Sequence, residues 1–366
     1  MSYRVADYCD ALEDWAPGAL AYDWDRCGLQ TGDRAWEVEG VLTCLTVTRE
    51  AYERARKNKA NFIVSHHPLI WDPLTTLCPS DPRVRLCLEL AEARIACFSV
   101  HTNLDVAPGG VNDLLADALG LVDQKPLHAV KQAHQYKLVT YVPASDLDRV
   151  REALSRAGAG AIGAYSQCSF STPGTGTFIP GPDASPFSGV VGKLNRETEH
   201  RLEMILPKAR LSQALTALRR SHLYEEVAYD VIPLENRDPR IGLGVCGVLR
   251  KPMTLDAFAA HVRSVLRVDH VRVVGAKRKR IAQVAVMGGA GGGDVGSLPD
   301  TTDVYVTGDV RYNDALEALS RDIAVIDAGH SGTEMLVVPA LATFLRNRFP
   351  GTPINPYVEP NAFRVV

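Results

Sequence analysis

The chain has 366 residues, enough for two domains or for one interrupted by another, and a formal net charge of −3. Its 46% hydrophobic and 23% charged residues are those of an ordinary soluble globular protein, and the charge balance argues against a generic nucleic-acid binder, which needs a basic face. No apolar run approaches the roughly 18 residues that span a bilayer, and the eight cysteines are scattered with no Cys-x-x-Cys pair, so a reducing cytoplasm is expected and a thiolate zinc site is not.

Residues 5–15 carry apolar side chains at helical spacing (Val5, Tyr8, Cys9, Leu12) and stop at Ala16-Pro17-Gly18; a loop through Asp23-Trp24-Asp25 follows. Strands are predicted at 41–47, 62–65 and 95–100, with helices at 49–59, 83–93 and 111–119, the last closed by Gly120. This alternation implies right-handed βαβ units and a parallel sheet. Beyond residue 130 the rhythm changes. A strand at 136–142, a helix at 146–157, a Gly/Ser/Pro/Thr tract at 166–192, a strand at 200–206, a helix at 210–220 and a strand at 227–231 read as a ferredoxin-like α+β module. Asn236-Arg237-Asp238-Pro239 is its exit linker. Alternation then resumes with a strand at 241–249, a helix at 254–266 with Thr254 as N-cap, and strands at 271–274, 281–287 and 303–307. A helix at 314–320, a strand at 323–326 and a helix at 335–346 complete the chain. The expected architecture is α/β. Residues 1–130 and 239–366 form one discontinuous domain around a doubly wound, mostly parallel sheet, and 131–238 are an inserted α+β domain.

Three strand ends carry polar chemistry. The run ending at Ser65 is followed by His66-His67-Pro68, and Pro68 restricts the backbone so that both imidazoles can turn toward one crevice. The strand at 95–100 leads into His101-Thr102-Asn103-Leu104-Asp105. The strand at 323–326 leads into Asp327-Ala328-Gly329-His330, with Glu334 four residues on; if a helix opens after Gly329, His330 and Glu334 share one face. His101 and Asp105 have the same separation, but Asn103 and Pro108 favour a loop there. One His pair or one His-x-x-x-Glu is ordinarily structural, whereas three strand ends bearing imidazole and carboxylate together read as a metal site. Donors without thiolate suit Zn, Mn, Fe, Co or Ni. Five or six of them exceed the need of one tetrahedral ion and match two ions roughly 3.5–4 Å apart.

Other motifs are less specific. Gly288-Gly289-Ala290-Gly291-Gly292-Gly293-Asp294 reads either as an amide nest for phosphate or as a tight turn beside the crevice. Its dinucleotide-like glycine spacing is discounted, because Pro299 intervenes and no helix clearly follows. Lys277-Arg278-Lys279-Arg280 reads as a solvated turn between strands. His222 reads as a capping or interface residue rather than a pocket residue, and His128, His134, His200, His261 and His270 as surface.

These stretches carry a family resemblance. Asp23-Trp24-Asp25…Gly28-Leu29, Ser65-His66-His67-Pro68, His101-Thr102-Asn103-Leu104-Asp105 with Gly109-Gly110-Val111-Asn112-Asp113, Thr307-Gly308-Asp309, and Asp327-Ala328-Gly329-His330…Thr333-Glu334 resemble the Nif-three-like proteins, GTP cyclohydrolase type-2 homologues with a dinuclear metal centre. The middle module resembles the PII-like, CutA-like insertion of the longer members through Gly158-Ala159-Gly160, Gly174-Thr175-Gly176 and Tyr224-Glu225-Glu226-Val227-Ala228-Tyr229. The resemblance implies metal ligands at His66, His67, Asp105, His330 and Glu334, two divalent ions per subunit, and a homohexamer arranged as a trimer of dimers. It also implies hydrolysis of a nucleotide-like small molecule, with GTP ring opening suggested by the family. Asp309 and His101 are the candidates for orientation or proton transfer. Three positions depart from the family pattern: Thr46 stands where relatives commonly have Asp, Asn313 where many have His, and Leu223 where Pro is expected. Two rival functions are a non-enzymatic metal-carrying or regulatory scaffold, and a nucleic-acid-binding ring using residues 277–280.

Overall fold

The computed structural model describes residues 2–276 and 279–363; Lys277 and Arg278 of the basic cluster lie outside them. The chain forms two compact units, Met1–Ala129 with Pro239–Val366, and Val130–Asp238. In chain order the strands are β1 (Gly28–Thr31), β2 (Val41–Cys44), β3 (Phe62–Ser65), β4 (Ala96–Ser99), β5 (Leu121–Ala129), β6 (His134–Pro143), β7 (Phe170–Phe178) and β8 (Asn195–Pro207). They continue with β9 (Tyr229–Arg237), β10 (Gly242–Thr254), β11 (Arg272–Val274), β12 (Arg280–Val286), β13 (Val304–Thr307), β14 (Ala324–Asp327) and β15 (Ile354–Pro356).

The discontinuous unit holds two sheets, not the single doubly wound sheet expected from the alternation. One has the order β1-β4-β3-β2-β15 and the other β11-β14-β13-β12-β10-β5. Each terminal segment lends a strand to the other's sheet: β15 pairs parallel with β2, and β5 pairs antiparallel with β10. Those two strands are what the sequence pattern hides. β15 has three residues, and β5 carries Asp123, Gln124, Lys125 and Pro126 and so shows no apolar run. β1 falls in the stretch read as a loop and pairs antiparallel with β4.

The four-residue strands β2, β3, β4, β13 and β14 are buried along their whole length. Parallel strands covered on both faces need such unbroken apolar runs. In the second sheet, alternate residues serve opposite cores. Val284, Val304, Val306 and Ile326 pack with Phe258 and Val262 of the helix Leu255–Leu266, while Ala285, Tyr305 and Val325 pack with Val295 and Ala318. Buried strands leave their polar residues to their ends, which is where His66, His101, Asp309 and His330 stand.

The unit Val130–Asp238 runs β6, helix Leu147–Arg156, β7, β8, helix Leu211–Ser221, β9, and its antiparallel sheet has the order β7-β8-β6-β9. This βαββαβ order is the ferredoxin-like arrangement. Leu138, Leu202 and Met204 of the sheet pack on Val150, Leu154 and Leu218 of the helices. β7 lies in the tract read as a Gly-rich excursion: its residues are largely exposed and include Pro173, Gly174 and Gly176, so no alternation marks it.

Ala129 and Gly242 are cross-strand partners, so Val130–Asp238 is spliced into what would otherwise be the turn between β5 and β10. Replacing 130–238 with a short Gly/Ser turn should therefore leave a folded unit with its β-content and metal uptake intact, as read by circular dichroism and elemental analysis. An insoluble product would show that the insertion is structurally required.

Candidate metal centre

The site forms at the carboxyl ends of strands from both sheets of the discontinuous unit. After β3, the Ser65 hydroxyl donates to the His67 carbonyl at 2.8 Å and curls the chain, bringing the rings of His66 and His67 to the same side with centroids 5.2 Å apart. After β4, the chain enters a helical turn, Thr102–Val106, where the sequence favoured a loop. The turn is capped from a distant segment: Asp25 accepts the Thr102 amide at 3.0 Å and also the Thr102 hydroxyl. After β14, Gly329 adopts φ 78° and the helical turn His330–Glu334 follows, so His330 and Glu334 do share a face.

Glu334 is the hub. Its Oε2 lies 3.0 Å from His67 Nε2 and 3.2 Å from His330 Nε2, and its Oε1 lies 3.7 Å from His66 Nε2. Asp105 Oδ1 is 3.6 Å from the same His66 nitrogen. His101 joins the group, its ring 5.3 Å from His66 and 5.8 Å from His67. Ligand atoms of His66, His67 and His101 fall within 4.8 Å of one another, as do those of His67, His330 and Glu334.

All four imidazoles are held at Nδ1, and His66, His67 and His330 face the carboxylates at Nε2. His66 Nδ1 donates to the Val100 carbonyl at 2.8 Å, and His101 and His330 are held by Asp25 and Asp309, each at 2.8 Å. His67 Nδ1 meets the Thr46 hydroxyl at 2.7 Å. Outer partners of this kind fix ring orientation in metal sites. Burial would raise the Asp25 carboxyl, but hydrogen bonds from His101, Thr102 and Cys27 outweigh it and hold it well below the usual range. Asp25 stays an anion.

The donor set fits a cation. A carbonyl only accepts, so His66 Nδ1 carries a proton, and whenever the ring is neutral its Nε2 is a bare lone pair turned inward. That buried Nε2 has no hydrogen-bond partner, and two carboxylates face it. Groups that can only accept do not converge without a proton or a metal ion between them. Gly289 serves the same end: with φ 70°, it lies where any Cβ would strike Glu334 Oε1.

The family model for Duf34/NIF3 (NGG1p interacting factor 3) matches residues 3–358. "GTP cyclohydrolase 1 type 2 homolog" proteins of Halalkalibacterium halodurans and Bacillus subtilis are 40% and 39% identical, the alignments covering 87% and 89% of this chain and 86% and 87% of the relatives. The chain belongs to the Duf34/NIF3 family. A crystal structure of a Bacillus cereus protein related to NIF3 matches with TM-score 0.86 and 37% identity over 99% of each chain, and a Staphylococcus aureus protein with TM-score 0.75 and 30% identity over 99% of each.

Within this NIF3-family chain, His66, His67, Asp105, His330 and Glu334 come together, and Asp309 stands behind His330. His101, expected behind the ligands, presents its own Nε2 to the cluster. The sequence motifs contain Asp25 and Asn112 but give them no role. Asn112 accepts the Gly288 amide at 2.9 Å and donates to the Asp105 carbonyl at 2.8 Å, tying two ligand loops together. With the Gly289 amide given to Thr333 at 2.9 Å, that glycine stretch behaves as a tight turn beside the site. Thr46 supplies a hydroxyl that can both donate and accept, so it serves His67 in either tautomer. Asn313 is exposed on the helix Tyr312–Ser320.

Two predictions follow from this geometry. Burial alone would depress His66, but Glu334 and Asp105 hold it at about 9, and Glu334 with Asp309 holds His330 at about 9 against burial. Both stand above the ordinary 6.5, so without metal their contribution to stability is full below about 6.5 and lost as pH rises through about 9. The melting temperature of chelator-treated protein should fall across that window while divalent-metal affinity rises; a flat melting temperature would contradict the assignment. Gly289→Ala should push Glu334 aside and lower metal affinity on the order of ten-fold or more, measured by competition with a chromophoric chelator. Unchanged affinity would show that Glu334 is not held by this loop.

Proposed function

We propose that the chain is a dinuclear metal-dependent hydrolase of a nucleotide-like substrate, with GTP-type ring opening the leading reaction. The observation that supports it is the convergence of the Nε2 atoms of His66, His67 and His330 on Glu334 and Asp105, with His101 beside them, in a largely buried site. His67, His330 and Glu334 Oε2 would hold one ion; His66, Asp105 and Glu334 Oε1, with His101 in reach, would hold the other. Bound ions would supply Lewis acidity and an acidified water.

The remaining work falls to the chain's own residues. Glu334 presents different oxygens to the two halves of the site, the disposition a bridging carboxylate needs. Asp309 and Asp25 fix His330 and His101 and offset the charge of two cations. His330 and Asp309 are the solvent-facing members, with side chains 38% and 52% exposed, so substrate would approach past them. Asp309 is then the group placed to accept a proton there.

Aromatic residues beside His101 support a planar substrate. Trp24 and Trp71, 56% and 51% exposed, stand 5.8 Å apart, with ring centroids 6.3 and 5.4 Å from His101. Tyr22 stacks on Trp24 at 5.8 Å and 11°. Indoles left half in water beside a polar site offer a nucleobase a stacking surface, worth about 1–3 kcal/mol per base in single-strand binders. The inserted unit is read as PII-like on its βαββαβ order, and the assembly as a homohexamer on the family resemblance alone. No described helix is long and apolar enough to cross a membrane.

Glu334→Gln keeps size and one acceptor oxygen but removes the charge shared by the ions. It should weaken metal binding and reduce turnover of a nucleotide panel by more than the loss of occupancy, with the fold retained. Undiminished turnover at halved metal content would place the chemistry elsewhere. No turnover by fully metallated wild type across the panel would favour the scaffold.

A further inference from the structure

The unit Val130–Asp238 contains a cavity of about 790 Å³ that is separate from the metal centre. This is the size of a small-molecule site. Its apolar lining comes from Pro173 and Phe178 of β7, Pro186 and Phe187 of the following loop, and the rings of Tyr141 and Tyr224. The rings of Phe187 and Tyr224 lie 6.2 Å apart.

One carboxylate is built into this lining. The Tyr224 hydroxyl donates to Glu199 Oε1 at 2.7 Å. Gly176 of β7 lies where any Cβ would collide with Glu199 Oε2, so the glycine leaves room for the carboxylate to lie against the strand. His222 holds the tyrosine from behind: its Nδ1 accepts the Tyr224 amide at 3.1 Å while its Nε2 donates to the Tyr141 carbonyl at 3.0 Å. The buried histidine is thus a support of this cavity. The sequence, which places it just past the helix Leu211–Ser221, favours a capping or interface role over a pocket role.

The charges select the ligand. Glu199, Glu225 and Glu226 line the cavity, and Arg201 is the one cation among the lining residues. Arg201 is already engaged by Glu203 at 3.0 Å, and Glu203 also takes Lys137 at 2.8 Å. The charge of that cation is already offset by Glu203, and three carboxylates would repel a phosphate. Aromatic faces beside unneutralised carboxylates favour the opposite charge, because a cation gains from both the rings and the anions.

We propose that this cavity is a binding site for a small organic cation with an apolar or aromatic body, a class of ligand distinct from the nucleotide-like substrate of the metal centre. Glu199 would receive the ammonium or amidinium group, and Phe178, Phe187 and Tyr224 would cover the apolar part.

The test is a titration of the full chain, stripped of metal so that a carboxylate probe has no ion to bind. Its matched probes are 2-phenylethylammonium and 3-phenylpropionate, with ATP as a third, read by calorimetry and by saturation transfer to the ligand protons. The ammonium should bind at least about ten-fold more tightly than the propionate or ATP, and Glu199→Gln should remove that preference with the melting temperature held. Tyr224→Phe keeps the ring and removes the donor, so it should shift the ammonium affinity less than Glu199→Gln does. Equal binding of the two aromatic probes, tighter binding of ATP, or a preference that survives Glu199→Gln would each overturn the proposal. So would absence of ammonium binding together with a Phe187→Ala variant of smaller oligomeric size, because a second copy of the chain would then fill the cavity.

Discussion

His66 is buried beneath the site with its Nδ1 committed to the Val100 carbonyl, and its Nε2 turns toward Asp105 and Glu334 without a hydrogen-bond partner. An imidazole lone pair and two carboxylates have nothing to give one another. A cation must stand among them, either a proton, as the elevated pKa of His66 expresses, or a metal ion. Removing a buried charge from water costs several kcal/mol per ion, so this constraint dominates the energetics of the whole centre. The surrounding hydrogen bonds are arranged so that it is met at one place.

The fold meets it by bringing strand ends from two sheets to one point. His66, His67, His101 and Asp105 come from the sheet that contains β3 and β4, and Asp309, His330 and Glu334 from the sheet that contains β13 and β14. The exchanged strands β5 and β15 join the terminal segments, so neither half of the site is carried by an independent sheet. Small residues complete the approach. Gly289 clears Glu334, and a Cβ at Gly308 would press on the Gly289 carbonyl and the His330 amide. The outer partners differ in charge, with carboxylates behind His101 and His330 and neutral oxygen behind His66 and His67. Burial depresses His67, with the neighbouring His66 and His330 adding to the depression and Glu334 opposing it. The His67 ring is therefore favoured in its neutral form, the form that ligates a metal.

Much of this was legible in the sequence, because buried parallel strands are continuous apolar runs whose ends must hold the polar residues. The His66-His67 and His330…Glu334 stretches stood out for that reason, and so did the change of rhythm near residue 130. What was hidden has physical causes. The division into two sheets depends on β5 and β15, one polar and one too short to register. The helical turn at Thr102 depends on Asp25, some 77 positions away, and no local pattern reports such a cap. The inward Nε2 of His101 follows from the same contact. The cavity near Tyr224 left only a weak trace, a pocket reading of His222 that was the less favoured one, because β7 is an exposed Gly/Pro strand that reads as a loop.

In the proposed function, two divalent ions share the cluster through Glu334. Elemental analysis of the purified chain after saturation with Zn, Mn or Fe and removal of excess metal tests it most directly. Close to two equivalents per chain are expected, falling toward one in Glu334→Gln. Saturation at one equivalent, unchanged in that variant, would contradict it.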